Sequence, residues 1–497
     1  VSEVTGPAAT SEPVIAPSFE VPPAPIPAGQ IKETVTADVV VVGAGVSGLM
    51  ATLAVAKAGK KVILIEKSAS FNARGGHNAA LGSKLQKANG IEYDKHKVVA
   101  DLVRWGSNQV DARLLMLWAN NVNETIDGLI DLAEKEKIEV MLWGNDLPDN
   151  VWPEHKTVHM FGGMDEKIVA GMIEKAAKEA GADIRYEMPA AQLVRDNGRV
   201  SAVIAGPEGS YTRFEASKGI ILCTGDYGNN PEMIQKYCPK AADIDINVYA
   251  PAVNTGDGHK MGLWIGAAMQ EESPHTPMVH NLGAGPMTSN PFLRINIKGD
   301  RYENEDVPIP YMTNAIQLQP KNTSYTIFDA SYADDVVNHT PGFSRTVMTN
   351  ENTQKSIDDA VAKGVACFSA GTLDELAGKI GVPVDVFKAT VARYNELATK
   401  GVDDDFGKPK AMLSPIDTPP YYASKNAIAL LVVLGGFNVN TKLQVLDKDG
   451  AVIPGLYAAG NTVGNCFAND YPVAVPGLSH SRALVFGRLA GENAAAG

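Results

Sequence analysis

The sequence is poor in cysteine, in aromatic residues and in positive charge. Its 4 cysteines show no C-x-x-C spacing, which argues against a zinc site, a dithiol redox motif and an attached haem. The formal net charge of -13 offers no basic surface to a phosphate backbone, so nucleic acid is not an expected partner. No apolar run reaches the roughly 18 residues of a membrane span. We expect no metal and no direct membrane span, and a small molecule as the partner.

The first 30 residues differ in composition from the rest of the chain. They are rich in proline, alanine, serine and glutamate, have no helical or strand period, and begin without methionine. Such composition is typical of an extended, semi-rigid linker. We interpret residues 1–30 as a Pro-rich linker left after removal of an export signal, which predicts an extracytoplasmic protein. An artificially trimmed N-terminus is the alternative.

A dinucleotide-binding motif opens the remaining chain. The β-branched run from Ala37 predicts a strand, VSGLMATLAVAKAG predicts a helix, and KVILIE predicts a second strand. The first turn carries G-x-G-x-x-G at Gly43, Gly45 and Gly48, which lets the backbone approach a pyrophosphate at the helix N-terminus. Glu66 follows about twenty residues later, where a carboxylate accepts a ribose hydroxyl. This unit predicts an α/β fold but does not distinguish NAD from FAD.

Further glycine-containing motifs decide between these cofactors. They are the strand GIILCTGDYG, the strand-turn VIPGLYAAGN, the loop ARGGHNAALG at residues 73–82 and the turn NTGDGHKMG at residues 254–262. From about Thr36 onward the chain resembles the FAD-dependent fumarate reductase and succinate dehydrogenase flavoprotein superfamily. Within it, the nearest resemblance is to exported respiratory ene-reductases of anaerobic gut bacteria, and there is some likeness to 3-ketosteroid dehydrogenases.

The resemblance implies a domain organisation and a cofactor, and it implies that the loop at residues 73–82, called the flavin loop below, lies against the isoalloxazine ring of that cofactor. A Rossmann-like FAD-binding domain is expected at residues 31–272 and 434–497, with an inserted α+β capping domain at residues 273–433. The FAD is expected to be noncovalent, because Ala69 stands where members with covalent flavin carry a histidine. The motifs and the resemblance predict the following FAD-binding residues: Gly43, Gly45, Val46, Ser47, Gly48, Glu66, Lys67, Gly75, Gly76, Asn78, Gly225, Asp257, Gly460, Asn461, Gly477 and Leu478.

The expected acceptor site departs from that of fumarate-reducing members. Ile309 stands where those members have the arginine that acts as the proton donor. Leu431 and Val432 stand where they have a pair of histidines near the end of the cap. Fumarate is therefore a poor candidate substrate. Burial of apolar surface contributes about 25 cal/mol per Å² to the free energy of binding. This contribution can replace the ion pair that holds the second carboxylate of a dicarboxylate. The sequence favours an enoate or enone with a bulky or aromatic group.

Six residues are candidates for catalysis or substrate contact. Tyr311 lies beside the missing arginine, and the segment of Tyr471 resembles the Y-P turn of ketosteroid dehydrogenases. A phenol with a pKa near 10 donates a proton readily at neutral pH, which favours reduction over oxidation. His275 and His280 resemble the start of the family's cap. The remaining two candidates are Arg301, in a G-x-R-x-x-N-E segment, and Arg482 near the C-terminus.

Each of these candidates has a structural alternative. A packed phenol is the ordinary state of a tyrosine, and the sequence contains 15 of them. A hydrogen-bonded structural role is the alternative for His275 and for His280. Arg482 either binds a single carboxylate or caps a surface.

The expected function is reduction of an activated C=C bond by hydride from flavin N5. No second dinucleotide motif is present, so the predicted electron donor is a membrane-associated haem or flavin protein and not a nicotinamide. This predicts a terminal reductase of anaerobic respiration. A ketosteroid-type dehydrogenase running the oxidative reaction is the first alternative, an electron-relay flavoprotein is the second, and a binding protein without flavin is the third.

Overall fold

The computed structural model describes residues 17–144, 155–244, 246–247, 253–271, 273–339 and 349–497. Its strands are β1 (Ile31–Val42), β2 (Val62–Ile65), β3 (Asn78–Ala79), β4 (Val140–Leu142), β5 (Val158–Phe161), β6 (Asp183–Arg185), β7 (Ala190–Asp196), β8 (Arg199–Ala205), β9 (Tyr211–Leu222), β10 (Ile246–Asn247), β11 (Thr276–His280), β12 (Leu293–Asn296), β13 (Ser324–Asp329), β14 (Cys367–Ala370), β15 (Tyr421–Lys425), β16 (Ala429–Leu434), β17 (Gln444–Leu446) and β18 (Val452–Ala458). Its helices are α1 (Val46–Lys57), α2 (Lys84–Ala88), α3 (Lys95–Trp105), α4 (Ala112–Glu136), α5 (Glu166–Glu179), α6 (Pro231–Tyr237), α7 (Asp257–Trp264), α8 (Ile309–Gln317), α9 (Tyr332–Asn338), α10 (Thr353–Lys363), α11 (Leu373–Ile380), α12 (Val384–Lys400) and α13 (Leu478–Ala496).

The first domain is built on an 8-stranded sheet with the strand order β17-β18-β9-β1-β2-β6, in which β8 also pairs with β9 and β7 pairs with β8. The strands from β18 to β6 are parallel, and their carboxyl ends therefore meet at one edge. Helix α1 is buried around most of its circumference, as expected for a helix enclosed by a sheet and a second helix. That second helix is α13, whose Gly487 approaches so closely that an added Cβ would lie 2.2 Å from the carbonyl oxygen of Ser47.

The second domain is an inserted α+β cap. Its antiparallel sheet has the order β12-β13-β15-β14 and packs on α11 and α12 around a separate apolar core. A smaller sheet, β10-β16-β11, joins β10 of the first domain to the strands at the two ends of the inserted segment, β11 and β16. The architecture is thus a Rossmann-like FAD-binding domain with an inserted cap, as the sequence predicts.

Several elements follow directly from local features of the sequence. Helix α12 follows Pro383 and ends at Gly401, which has a φ of 70°. The apolar run IALLVVLGG forms β16, and all residues of that strand are buried. The first strand begins at Ile31 and not at Ala37, because its polar first half pairs in parallel with Tyr211 and the residues after it.

The described part of the N-terminal segment packs on the first domain. Phe19 is buried, and its carbonyl oxygen accepts a hydrogen bond of 2.9 Å from the Trp264 indole. The Ser18 amide donates to a carboxylate oxygen of Glu232 at 2.9 Å. Residues 17–30 therefore belong to the folded body, whereas residues 1–16 of the predicted linker lie outside the described residues.

The described ranges contain neither a membrane-spanning helix nor a cluster of metal-ligating side chains. No helix in them combines the length and the apolar character required to cross a bilayer. Nor do these ranges contain a group of three or more histidine, cysteine, aspartate or glutamate side chains arranged to hold a metal ion.

Candidate active site

A cavity of about 890 Å³ lies between the carboxyl edge of the large sheet and the strands β11 and β16. Its volume lies at the upper end of the range that is typical of cofactor and ligand sites. Most of the predicted FAD-binding residues line it: Gly43, Gly45, Val46, Ser47, Glu66, Lys67, Gly75, Gly225, Asp257, Gly460, Asn461 and Gly477. Gly48, Gly76, Asn78 and Leu478 are not part of its lining and lie behind these residues or next to them in the chain.

The glycine motif forms a turn into which no side chain fits. Gly43 has a φ of 103°, and an added Cβ would lie 2.4 Å from the carbonyl oxygen of Cys223. At Gly48 an added Cβ would lie 1.9 Å from the carbonyl oxygen of Gly43. Gly45 precedes α1, whose N-terminus receives no side-chain cap, and Val46 and Ser47 of its first turn line the cavity. The N–H groups of that turn suit the pyrophosphate of a dinucleotide.

Glu66 is held where a carboxylate is needed for a ribose. One of its oxygens accepts the N–H of Ala44 and the other accepts the N–H of Ser68, each at 2.8 Å. Each carboxylate oxygen has a further lone pair with which it can accept a ribose hydroxyl. Nearby, the Lys67 ammonium donates to Asp257 at 2.7 Å. The backbone turn and these side chains fit FAD, which brings hydride-transfer chemistry to the cavity.

The loop at residues 73–82 is fixed against the start of α13. Both ring nitrogens of His480 lie within hydrogen-bond distance of backbone carbonyl oxygens, at 3.1 Å from His77 and 2.7 Å from Arg74. Gly75, with a φ of 86°, leaves room for this imidazole, because an added Cβ would lie 2.4 Å from its Cε1. Helix α13 begins directly after Gly477, which also adopts a positive φ. The loop and the helix N-terminus therefore form one rigid wall.

Arg482 stabilises the neighbouring AAGN turn from inside the protein. Its guanidinium donates to the carbonyl oxygen of Gly460 at 3.1 Å and to the side-chain oxygen of Asn461 at 2.7 Å. It also lies over the rings of Phe467 and Phe486. Because only 1% of Arg482 is exposed, the interpretation as a surface cap is wrong. Arg482 does not line the cavity and contacts residues that do.

The half of the cavity nearest the cap is largely apolar. It is lined by Met278 and Leu282 near β11, Ile309 at the start of α8, and Leu431 and Val432 of β16. The three residues that replace the charged groups of fumarate-reducing members, Ile309, Leu431 and Val432, thus all face this space. Met278 and Val432 are direct partners in the antiparallel pair of β11 and β16.

Tyr471 brings a phenol to the same cavity. Its side chain is buried, and its oxygen accepts the backbone N–H of Ser479 at 3.2 Å. Burial raises the pKa of Tyr471 to about 12, although the Ser479 N–H acts in the opposite direction. The phenol is therefore protonated at neutral pH. Because the Ser479 N–H binds a lone pair of the phenol oxygen, the O–H hydrogen can donate to another group.

His280 brings a titratable group to the cap-side wall. It lines the cavity, and its Nε2 is buried without a hydrogen-bond partner among the described residues. Burial lowers the pKa of His280 to about 4, so the imidazole is neutral at physiological pH. Because buried polar atoms are nearly always hydrogen-bonded, this nitrogen indicates a contact with a bound molecule.

The structure does not bring the other three catalytic candidates to the cavity. The ring of Tyr311 stacks on Trp105 at a centroid distance of 5.0 Å. His275 contacts the phenol of Tyr227 and lies 3.0 Å from the carbonyl oxygen of Gln270. Arg301 donates to two buried carboxylates in the cap, those of Glu305 and Asp403, each at 2.8 Å. None of the three lines the cavity, and we assign them no chemical step.

Several cavity residues are absent from the candidates derived from sequence. Arg74, which is ion-paired with Asp226 at 2.9 Å, and His77 flank the glycine pair of the flavin loop. Trp143 and Glu166 come from segments without a recognisable motif. Arg74 and His77 could have been predicted from their position beside Gly75 and Gly76. Nothing in the sequence distinguishes Trp143 and Glu166 from other residues of their types.

Comparison with known proteins agrees with this geometry. The family described as "FAD binding domain" matches residues 38–474. The chain belongs to this family. It is an FAD-dependent oxidoreductase, as the glycine turn, Glu66 and the cavity suggest.

Relatives of known name cover nearly the whole chain. The vinyl phenol reductase of Lactiplantibacillus plantarum is 27% identical, over 92% of this chain and 96% of that protein. A flavocytochrome c3 fumarate reductase, solved in an open conformation, has a TM-score of 0.69 and 28% identity, over 94% of this chain and 79% of the other. The 3-ketosteroid-Δ4-(5α)-dehydrogenase of Rhodococcus jostii RHA1 has a TM-score of 0.73 and 21% identity, over 94% of this chain and 99% of the other, which shows a shared fold.

Proposed function

We propose that this protein is an FAD-dependent reductase that converts the activated C=C bond of a bulky or aromatic acceptor into a CH–CH bond. The observation that carries the proposal is the composition of the cap-side wall. Five apolar side chains line the same cavity as a protonated phenol, Tyr471, a neutral imidazole, His280, and the FAD-binding residues. An apolar acceptor is stabilised there by loss of contact with water, at about 25 cal/mol per Å².

The charges in the cavity also disfavour a dicarboxylate. Within the described ranges, the lysine and arginine side chains that line it are Lys67 and Arg74. Lys67 is paired with Asp257, and Arg74 is paired with Asp226. A buried carboxylate without a cationic partner is strongly destabilised, so two of them in this cavity would not be compensated. The acceptor is therefore neutral or carries a single acidic group.

The roles of the two polar groups follow from their protonation. Held by the glycine turn and Glu66, FAD would supply the hydride that one carbon of the double bond requires. Tyr471 donates the proton to the adjacent carbon, since its phenol remains protonated at neutral pH. His280 donates an N–H to the acceptor's carbonyl, carboxyl or phenol oxygen, which withdraws electron density from the double bond.

We further propose that the enzyme is a terminal reductase of anaerobic respiration, located outside the cytoplasm and reduced by a membrane-associated haem or flavin protein. Residues 1–16, which have a linker-like composition of small and polar residues and precede the folded body, support export. One related structure is a flavocytochrome, which supports a haem donor. The name of the vinyl phenol reductase supports an aromatic acceptor.

A ketosteroid-type dehydrogenase is the second candidate, favoured by the sequence around Tyr471. It requires the phenol to accept a proton, which the burial of Tyr471 opposes. An electron-relay flavoprotein ranks third, because a relay has no use for the apolar cap-side residues, His280 and Tyr471 that line the cavity beside the FAD-binding residues.

The test is reoxidation of a reduced viologen dye by the FAD-loaded protein under anaerobic conditions. The acceptor panel comprises fumarate, urocanate, cinnamates, 4-vinylphenol and cyclic enones. Rapid reoxidation by one aromatic or bulky acceptor, with none by fumarate, is the expected result. Turnover of fumarate alone would refute the charge argument. Turnover of a saturated ketone with an artificial electron acceptor, without reoxidation in the panel, would establish the dehydrogenase.

A further inference from the structure

Glu166 is a fully buried carboxyl group in the cavity wall that no part of the proposed chemistry uses. It lies in the first turn of α5, with 0% of its surface exposed. Its backbone N–H donates to the carbonyl oxygen of Gly75 at 3.0 Å, so it lies against the predicted flavin loop. At Gly76 an added Cβ would lie 2.6 Å from the carbonyl carbon of Met164, which places the two segments in direct contact.

The hydrogen bonds of this carboxyl are incomplete. One oxygen of Glu166 accepts the side-chain N–H of Asn78 at 2.9 Å. The other oxygen, Oε1, and the side-chain oxygen of Asn78 are buried and have no partner among the described residues. A buried pair that served only to join α5 to the loop would leave two polar atoms unsatisfied, which is rare in folded proteins. Because Glu166 lines the cavity, its unpartnered Oε1 indicates a ligand on the cavity side.

The surroundings favour the neutral form of the carboxyl. Burial raises the pKa of Glu166, although His480 of α13 and the Asn78 amide favour the charged form, and Asp165 adds to the increase. Because Oε2 already accepts the Asn78 N–H, the hydrogen of a neutral carboxyl belongs on Oε1. A neutral acid of this kind is a hydrogen-bond donor in an apolar site.

We propose that Glu166, oriented by Asn78, is part of the flavin site and donates a hydrogen bond from Oε1 to the isoalloxazine ring of the bound FAD. A donor to the ring stabilises the reduced flavin, which carries more electron density than the oxidised form. Glu166 thereby raises the reduction potential of the bound cofactor. This role depends on FAD binding and is independent of the acceptor that the enzyme reduces.

The test compares Glu166→Gln, which keeps a neutral donor, with Glu166→Leu and Glu166→Ala, which remove it. Glu179→Gln, at the exposed end of the same helix in an ion pair with Lys135, is the control. FAD occupancy is measured from visible absorbance, and the midpoint potential by anaerobic titration with mediator dyes. In the Leu or Ala protein we expect the ratio of the affinities for reduced and oxidised FAD to fall at least tenfold. For a two-electron couple, a tenfold fall lowers the midpoint potential by about 30 mV. Both glutamine proteins should stay close to the wild type.

Two results would overturn the proposal. Equal potentials in the wild type and in FAD-loaded Leu or Ala protein would show that the carboxyl makes no contact with the ring. A higher potential in Glu166→Gln than in the wild type would show that the carboxyl is ionised and is not a donor. Leu and Ala proteins that fold, by circular dichroism, but lose FAD while the Gln protein retains it would support the contact.

Discussion

Replacement of Tyr471 by phenylalanine removes the proposed proton donor with little other change. The ring, which packs against Phe467 at a centroid distance of 5.8 Å, is retained. The substitution removes the hydroxyl that accepts the Ser479 N–H at 3.2 Å. Loss of a hydrogen-bond partner for a buried N–H destabilises a protein by about 1–3 kcal/mol. We expect the variant to fold and to bind FAD.

The expected loss of activity follows from the role of a general acid. A positioned acid accelerates a reaction about 10²–10⁴-fold, which corresponds to about 3–5 kcal/mol of barrier at 1.36 kcal/mol per tenfold. Because the apolar wall is unchanged, KM should vary little and the decrease should appear in kcat.

The assay is anaerobic dye reoxidation by the best acceptor of the panel, with Tyr311→Phe as the matched control. Tyr311 stacks on Trp105 and does not line the cavity, so its variant should retain nearly full kcat. A Tyr471→Phe enzyme within fivefold of the wild type would refute the assignment. A large decrease in Tyr311→Phe alone would show that the cap shifts on substrate binding and brings a different phenol to the acceptor.

Three further outcomes are expected. Gly43→Ala should lose FAD, measured by visible absorbance, because its Cβ would lie 2.4 Å from a carbonyl oxygen, whereas Gly128→Ala, where no atom lies within 4 Å, should retain it. Arg301→Ala should destabilise the protein by about 3–5 kcal/mol in thermal unfolding, because it leaves two buried carboxylates without their guanidinium, whereas Arg393→Ala at the surface should melt near the wild type. Since burial raises the pKa of Tyr471 to about 12, this phenol stays protonated below that value, and kcat for reduction should show no alkaline decrease between pH 6 and 9.

The sequence predicts the fold well where the side-chain pattern is strong. The valines of β1 form a continuous buried run, α1 is apolar around most of its circumference, and the glycine spacing locates the turn between them. The pattern fails at Ile31 and the residues after it, where the strand is exposed and polar and is held by backbone pairing with β9. Backbone pairing leaves no trace in the order of polar and apolar residues.

The cofactor half of the site is more predictable than the acceptor half. Close backbone approach requires glycine at Gly43 and Gly48 whatever surrounds them, so the requirement is visible in the sequence. His275 and His280 look equivalent in the sequence, yet His280 faces the cavity, whereas His275 precedes β11 and stacks on Tyr237. Which face of a strand meets a cavity depends on its partner strands and cannot be derived from the strand alone.

Glu166 was missed for a related reason. An acidic residue in the first turn of a helix is ordinarily explained by its favourable interaction with the helix dipole, and it is usually exposed. Here the contact between α5 and the flavin loop buries it completely. Its unpartnered oxygen becomes visible only when the loop and the helix are seen together.

The pairing of β11 and β16 explains how one scaffold can serve acceptors of different chemistry. Met278 and His280 of β11 and Leu431 and Val432 of β16 contribute to the cap-side wall, and Met278 lies directly opposite Val432. The pairing uses backbone hydrogen bonds, so these side chains can change without loss of the strands. The glycine turn and Glu66 lie on the other side of the cavity and do not depend on them. We therefore expect that substitution of a few residues on these two strands would change the acceptor while the cofactor site stays intact.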